Sequence, residues 1–127
     1  MLVSDYMSAA PVTVRSNEDY GRAAAIMDER DMHHLPVLDA DDQVVGIVTK
    51  RDLQLAARFY REAPVEISEV MHTPVLTINE NAPLASAVQQ MNEKRIGCLP
   101  VLGADDKVSG ILTETDLLRA LSDLLKA

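Results

Sequence analysis

The sequence predicts an α+β fold made of two tandem, pseudo-twofold-related copies of one small motif. Three observations carry that prediction. Residues 3–53 align with residues 67–117 at a constant offset of 64, without a gap and with about twenty identities, and an internal period of this kind marks duplicated units that bury their apolar faces by packing together. Within each copy, helical periodicity alternates with short apolar runs bounded by turn residues. A half of about 60 residues would bury only ~60% of its unfolded surface, so mutual packing of the halves is expected. The division falls between residues 1–63 and 64–127.

Each half reads in the same order. A short helical turn ends at Met7 and at Met71, and an extended piece follows (Val12-Thr13-Val14; Leu76-Thr77-Ile78). A helix is then expected from Ser16-Asn17 in the first half and from Asn81 in the second, because Ser and Asn are good N-caps and Pro83 suits a first turn. Tyr20, Ala23, Ala24 and Met27 recur at helical spacing, matched by Leu84, Ala87, Val88 and Met91,. Two strands come next. Leu35-Pro36-Val37-Leu38 and Leu99-Pro100-Val101-Leu102 are apolar runs. Asp39-Ala40-Asp41-Asp42 and Gly103-Ala104-Asp105-Asp106 supply turn chemistry ahead of the second strands, ending at Thr49 and Thr113. A closing helix starts at Lys50 or Glu114, and in the second half Leu117, Leu118, Leu121, Leu124 and Leu125 form a broad apolar stripe. Residues 60–66, with Pro64, read as the linker.

Composition narrows the function classes. Net charge is −8, with 12 Lys and Arg against 20 Asp and Glu. No basic cluster marks either half, which argues against a phosphate-backbone footprint for nucleic acid. Cys98 is the single cysteine, so intrachain disulfides and zinc ribbons are excluded. Met1-Leu2-Val3-Ser4-Asp5 lacks a basic region or a long apolar run, so no signal peptide is expected. No stretch approaches the ~18 apolar residues of a membrane span. A cytoplasmic location is the expectation. With one Phe and no Trp, the core falls to Val, Ile, Leu, Met and Ala.

The sharpest motif is Gly-apolar-apolar-Thr-x-x-Asp at the end of the last strand, as Gly46…Thr49…Asp52 and Gly110…Thr113…Asp116. Thr followed three residues later by an acid ahead of an apolar run is a helix capping box, and the acid suits the positive end of the helix dipole. A binding role is compatible with capping. The motif recurs at the same register in both halves. A Gly inside a strand often marks close approach of a ligand or another backbone. A short carboxylate there can accept ribose hydroxyls, and the adjoining amides can meet a phosphate.

On these residues the repeat resembles the cystathionine-β-synthase (CBS) domain, and the whole chain resembles a stand-alone CBS pair, or Bateman module. The carriers are the Met…Pro starts (Met7…Pro11; Met71…Pro74), the Leu-Pro-Val-Leu strand and the Gly…Thr-x-x-Asp ending. The resemblance implies a three-stranded sheet flanked by helices in each half. It also implies two related clefts between the motifs that hold AMP, ADP, ATP or S-adenosylmethionine as regulatory ligands, with no cofactor. Asp52 and Asp116 match the ribose-binding acid, Thr49 and Thr113 the hydroxyl near the phosphate, and Thr13 and Thr77 positions that line the cleft. A homodimer through the helices is implied as well.

The halves differ where a ligand would sit. His33 and His34 precede Leu35-Pro36, whereas Gly97 and Cys98 precede Leu99-Pro100; Lys50-Arg51 stands opposite Glu114-Thr115. An anion is favoured beside Lys50, Arg51 and one of the two histidines, and is repelled by Glu114. One cleft is therefore expected to take phosphorylated adenosine and the other a less charged ligand or none. Lys50 and Arg51 also fit a solvated helix turn. Only one of His33 and His34 can face a cleft, since neighbouring strand residues point to opposite faces. Cys98 fits a small apolar core residue. Met7, Met27, Met71 and Met91 occupy matched positions and read as core. Arg15 and Arg22 fit either a phosphate contact or simple exposure. His72 has no ligand spacing around it, so no metal site is expected. No nucleophile–base pair or phosphate-cradling loop is present, so an enzyme is not expected. The two remaining classes are a regulatory adenosyl-binding module, acting by a shift in packing or dimer state on an unidentified partner, and a dimeric scaffold with vestigial clefts.

Overall fold

The structure, a computed structural model, describes residues 1–60 and 63–126. In chain order the elements are β1 (Ser8–Ala9), β2 (Val14–Arg15), α1 (Tyr20–Arg30), β3 (His34–Leu38), β4 (Val44–Thr49), α2 (Lys50–Tyr60), β5 (Ile78–Asn79), α3 (Leu84–Lys94), β6 (Cys98–Leu102), β7 (Val108–Thr113) and α4 (Glu114–Lys126), with 3-10 turns at Val3–Asp5 and Ile67–Glu69. The expected α+β order is present in each half. Two compact units result, one of Val12–Val75 and one of Met1–Pro11 with Leu76–Ala127.

These units are offset from the repeats of 1–63 and 64–127, because the first eleven residues pack with the second repeat. Backbone bonding explains the offset. Val3 N–H donates to Ala82 O at 2.9 Å, Ser4 N–H to Glu80 O at 2.9 Å and Leu84 N–H to Met1 O at 2.9 Å. The Val3 side chain is fully buried in a core with Leu84, Ala87, Met91, Leu99, Val101 and Leu112. The matched segment, the 3-10 turn at Ile67–Glu69, does the same in the other unit, where Ile67 is buried beside Tyr20, Met27, Leu35, Val37, Val48 and Leu53. Met7 and Met71 pack against these two cores and Met27 and Met91 lie inside them.

In the 12–75 unit the sheet order is β2-β3-β4, three strands. β2 runs parallel to β3, and β3 pairs antiparallel with β4, setting His34 opposite Thr49. In the other unit the order is β1-β7-β6-β5, four strands, with Cys98 opposite Thr113. The fourth strand is β1, whose Ser8 and Ala9 pair with Ile111 and Gly110. Its counterpart in the 12–75 unit is a single bridge between Ile47 and His72. The Asp39–Asp42 and Gly103–Asp106 turns place Asp42 and Asp106 at φ of 61° and 59°, left-handed geometry that Asp tolerates better than most residues.

The helix N-caps expected at Ser16-Asn17 and Asn81 lie two to three residues too early. The N-cap of α1 is Asp19, whose side chain accepts from Gly21 N–H, and the residue before α3 is Pro83, which offers no side-chain cap. Asn81 instead donates its N–H to the Asn79 side chain at 2.9 Å, the local turn that competes with helix for such residues. The expected linker is also docked. Residues 61 and 62 lie outside the described residues, but Val65 is buried, its carbonyl accepts from Tyr20 N–H, and its N–H donates to Asp19 Oδ1 at 3.1 Å. Asp19 thus caps α1 with one oxygen and holds the following segment with the other.

Candidate functional site

In the 12–75 unit the site is built where β4 turns into α2. Thr49 is the last strand residue, and Asp52 sits in the first helical turn. Asp52 Oδ2 accepts from Thr49 N–H at 2.8 Å and from Thr49 Oγ1–H at 2.7 Å, while Asp52 N–H donates to Thr49 Oγ1 at 3.2 Å. This is the reciprocal bonding of a capping box. The other carboxylate oxygen is engaged as well. His72 Nε2 lies 2.8 Å from Asp52 Oδ1, the His72 side chain being 67% exposed and that of Asp52 12%.

The equivalent corner of the other unit joins β7 to α4. Asp116 Oδ2 accepts from Thr113 N–H at 2.8 Å and from Thr113 Oγ1–H at 3.2 Å. Asp116 is more deeply buried, at 4% exposure. Its second oxygen faces Arg119 Nη2 at 3.5 Å. Arg119 also donates to Tyr6 O at 2.7 Å and sits over the Tyr6 ring, 5.6 Å from its centroid. The Tyr6 hydroxyl in turn donates to Asp123 at 2.7 Å, and this bond to a carboxylate raises the phenol above its ordinary range.

The two Thr/Asp corners therefore share the Thr-to-carboxylate bonding and differ in the side chain that meets the second carboxylate oxygen, His72 at Asp52 and Arg119 at Asp116. The CBS domain profile matches residues 3–58 and 67–123, both repeats of the chain. The chain belongs to the CBS domain family. Among solved structures, a CBS domain pair in complex with 5′-methylthioadenosine and S-adenosyl-L-methionine is 31% identical, with a TM-score of 0.86 and coverage of 97% of each chain. A Vibrio cholerae protein assigned to acetoin utilization is 34% identical, with a TM-score of 0.86 and coverage of 99% of this chain and 93% of that one. An Arabidopsis thaliana CBS-pair protein in complex with AMP is 25% identical, with a TM-score of 0.81 and coverage of 97% of each chain. Among curated sequences, a homoserine O-acetyltransferase of Methanohalobium evestigatum and an L-aspartate semialdehyde sulfurtransferase of Methanocaldococcus jannaschii are 30% and 32% identical over 95% and 93% of this chain. The chain spans only 24% and 23% of their lengths, so the likeness concerns their CBS portions.

Within this CBS pair, the other residues singled out by sequence fall around the same two corners. Lys50 opens α2 and is half-buried, with its N–H donating to His33 O at 2.9 Å; Arg51 and His33 are exposed. His34 is half-buried and lies opposite Thr49. In the second corner Glu114 N–H donates to Gly97 O at 3.2 Å, and Cys98 is buried opposite Thr113. Burial pushes the Cys98 thiol up to about 12, which makes it a poor nucleophile and a small apolar filler. Thr13 and Thr77 are half-buried, each one residue before a parallel strand, β2 and β5. Arg15 and Arg22 are committed locally, Arg15 to the Asp42 carboxylate and Asp39 O, Arg22 to Glu18 at 2.6 Å. Among the described residues no three His, Cys, Asp or Glu side chains converge as a metal centre requires,.

The glycine of the motif has a specific partner. A Cβ on Gly46 would stand 2.6 Å from Met71 Sδ and 3.0 Å from His72 O; on Gly110 it would stand 2.6 Å from Met7 Sδ and 2.8 Å from Ser8 O. Of the two options that a strand Gly leaves open, a backbone approach is the one seen. It brings the Met segment onto the strand, and in the 12–75 unit this delivers His72 to Asp52. His72 and Arg119 are the site residues that sequence reasoning passed over. The signal was present in the repeat, since position 72 aligns with Ser8 and position 119 with Leu55, two places where the halves differ in chemistry.

Proposed function

We propose that this CBS pair is a regulatory module that binds adenosyl ligands (AMP, ADP, ATP, S-adenosylmethionine or its methylthioadenosine product) at its two Thr/Asp corners. The observation that carries the reading is the same carboxylate, held by the same Thr, at a strand-to-helix corner of each unit. It occurs in a chain whose relatives were solved with such ligands. Asp52 and Asp116 would take the ribose hydroxyls. The helix N-terminal amides, with Lys50 and Arg51 in the 12–75 unit, would take a phosphate. Glu114 and the buried Cys98 make the second corner the poorer anion site, so phosphorylated ligands should prefer the first. Binding acts by population shift, favouring the packing or dimer state that makes the better ligand contacts. The reading places the module in the cytoplasm, with no chemistry performed on the ligand.

Isothermal titration calorimetry of nucleotide-stripped protein against AMP, ADP, ATP and S-adenosylmethionine tests this. Asp52→Asn and Asp116→Asn should each remove one site while keeping an N-terminal helix acceptor in place. Unchanged binding in the double variant would exclude the assignment of these carboxylates. A second reading has one observation in its favour. Leu118, Leu121, Leu124 and Leu125 of α4 are 66%, 49%, 55% and 77% exposed, an apolar face that a homodimer would cover. Light scattering with and without ligand separates a ligand-responsive dimer from a constitutive scaffold.

A further inference from the structure

We propose that His72 is a built-in competitor for the Asp52 carboxylate and gates the ligand grip of the 12–75 unit by its protonation. The inference rests on the adenosyl-binding reading above. A carboxylate offers about four acceptor positions. At Asp52 two are filled on Oδ2 by Thr49 N–H and Oγ1–H, and one on Oδ1 by His72 at 2.8 Å. A ribose presenting two hydroxyls therefore meets one open position and must displace the imidazole to gain a second.

The competitor is set up by the fold. The backbone of His72 is fixed to β4, with His72 N–H donating to Ile47 O at 2.8 Å and Ile47 N–H to His72 O at 3.3 Å. Gly at residue 46 permits this close approach, since a Cβ there would stand 3.0 Å from His72 O. The side chain itself is 67% exposed, so it can swing away without disturbing the core. In the other unit the same backbone position holds Ser8, whose short hydroxyl gives no titrating competitor, and Asp116 meets Arg119 instead. The two corners therefore respond differently to pH.

The direction follows from imidazole chemistry. Histidine is the side chain whose unperturbed charge change falls between about pH 5 and 8. Protonated, both ring nitrogens donate and the contact to Asp52 is a charged hydrogen bond; neutral, only one nitrogen carries a proton and the charge is gone. His72 thus competes harder as pH falls. Among the described residues, the charged or titratable neighbours in the same elements are Lys50 and Arg51 on the same turn of α2 as Asp52, Glu69 in the turn before His72, and His33 and His34, of which His34 pairs with Thr49 and His33 O accepts from Lys50 N–H. All of them stay in place when His72 alone is replaced.

Adenosine is the appropriate probe, because it has the ribose diol and no phosphate that a protonated His72 would attract. Calorimetric titrations of the whole protein and of His72→Ser, which installs the residue found at position 8, are run at pH 8 and pH 6. In parallel, histidine ring resonances are followed by NMR, with those of His72 assigned by their loss in the variant. Adenosine should shift the His72 resonances. Affinity at the Asp52 site should fall on going to pH 6 by up to about fivefold, the ceiling for an exposed ion pair. In His72→Ser the affinity at pH 6 should rise toward the pH 8 value and the pH dependence should flatten. Adenosine binding that keeps the same pH profile in His72→Ser, or leaves the His72 resonances in place, overturns the gate and leaves the ligand reading standing. Failure of both proteins to bind adenosine or AMP at pH 8 overturns both.

Discussion

Gly110→Ala should destabilise the protein although alanine is the better residue for an ordinary strand. The added Cβ would stand 2.6 Å from Met7 Sδ, 3.0 Å from Met7 Cγ and 2.8 Å from Ser8 O. The Met7 side chain is flexible and half-buried, so the sulfur can give way. Ser8 O cannot move alone. It belongs to β1, which pairs Ser8 with Ile111, and the next turn of chain is tied down by Ala10 N–H donating to Ser109 O at 3.1 Å. Relief requires lifting β1 from β7. Overpacking of this kind costs about 1–3 kcal/mol. Gly110 has no positive φ, so the loss of unfolded-state freedom returns about 0.4–1 kcal/mol. Taken near the middle of both ranges, the net expectation is a loss of about 1–2 kcal/mol. In urea, with an m-value of about 2 kcal/mol per M, that moves the midpoint down by roughly 0.5–1 M. Gly103→Ala is the control, since its Cβ would meet nothing nearer than Asp105 Oδ1 at 3.4 Å, and it should be neutral or slightly stabilising. Gly46→Ala, with His72 O at 3.0 Å, should fall between them. If Gly110→Ala unfolds no earlier than Gly103→Ala, the close backbone approach is not what demands glycine.

Other expectations follow from single contacts. Asp52→Ala removes the capping box of α2 and should cost about 1 kcal/mol, within the usual 0.5–2, whereas Asp52→Asn should cost less than half as much; equal urea midpoints for the two would deny the cap. Asp19→Ala loses both the α1 cap and the bond to Val65 N–H, so about 2 kcal/mol is expected from one cap and one hydrogen bond, readable in the same titration. Cys98 has a folded thiol raised from 9.0 to about 12 by burial. The unfolded chain therefore releases this proton first, and the stability tied to the buried thiol is whole below about pH 9 and drains away as pH rises toward 12. Cys98→Ala should show a shallower alkaline loss of stability than the parent protein, and a matching slope in both would refute the assignment. In the parent at pH 8, a thiol reagent should label Cys98 far more slowly when folded than in denaturant.

Much of the fold was legible because each signal was local and written twice. The Leu-Pro-Val-Leu runs became β3 and β6, the Thr-x-x-Asp spacing became a full capping box at Thr49/Asp52 and the Thr-to-carboxylate half of one at Thr113/Asp116, and the strand Gly announced a backbone neighbour. What was not legible depended on long-range partners. Ser16, Asn17 and Asn81 have good capping chemistry but are used in turns, because the position of α1 is set by Asp19 bonding to Val65, 46 residues away. Residues 60–66 look like a linker by composition, yet the burial of Val65 depends on the same contact. His72 looked inert because its partner Asp52 lies on another element, reached only through the bridge to Ile47. The membership of Met1–Pro11 in the unit with Leu76–Ala127 could not be read from a repeat, since repeat matching assigns each copy of the segment to either set of strands equally well.

That interchangeability bears on how the chain is made. The ribosome releases residues 1–11 first, but the segment that receives them, from residue 76 onward, emerges last. The 12–75 unit has all its parts as soon as residue 75 is out, and nascent chains fold in units as they emerge. In the interval, Gly46 already presents the groove meant for Met71 and His72, while Met7 and Ser8, a near copy of that pair, are the only such segment yet synthesised. Until residue 72 has emerged the first sheet lacks its own partner segment, and until the strands beyond residue 76 have emerged the N-terminal segment lacks the sheet that receives it.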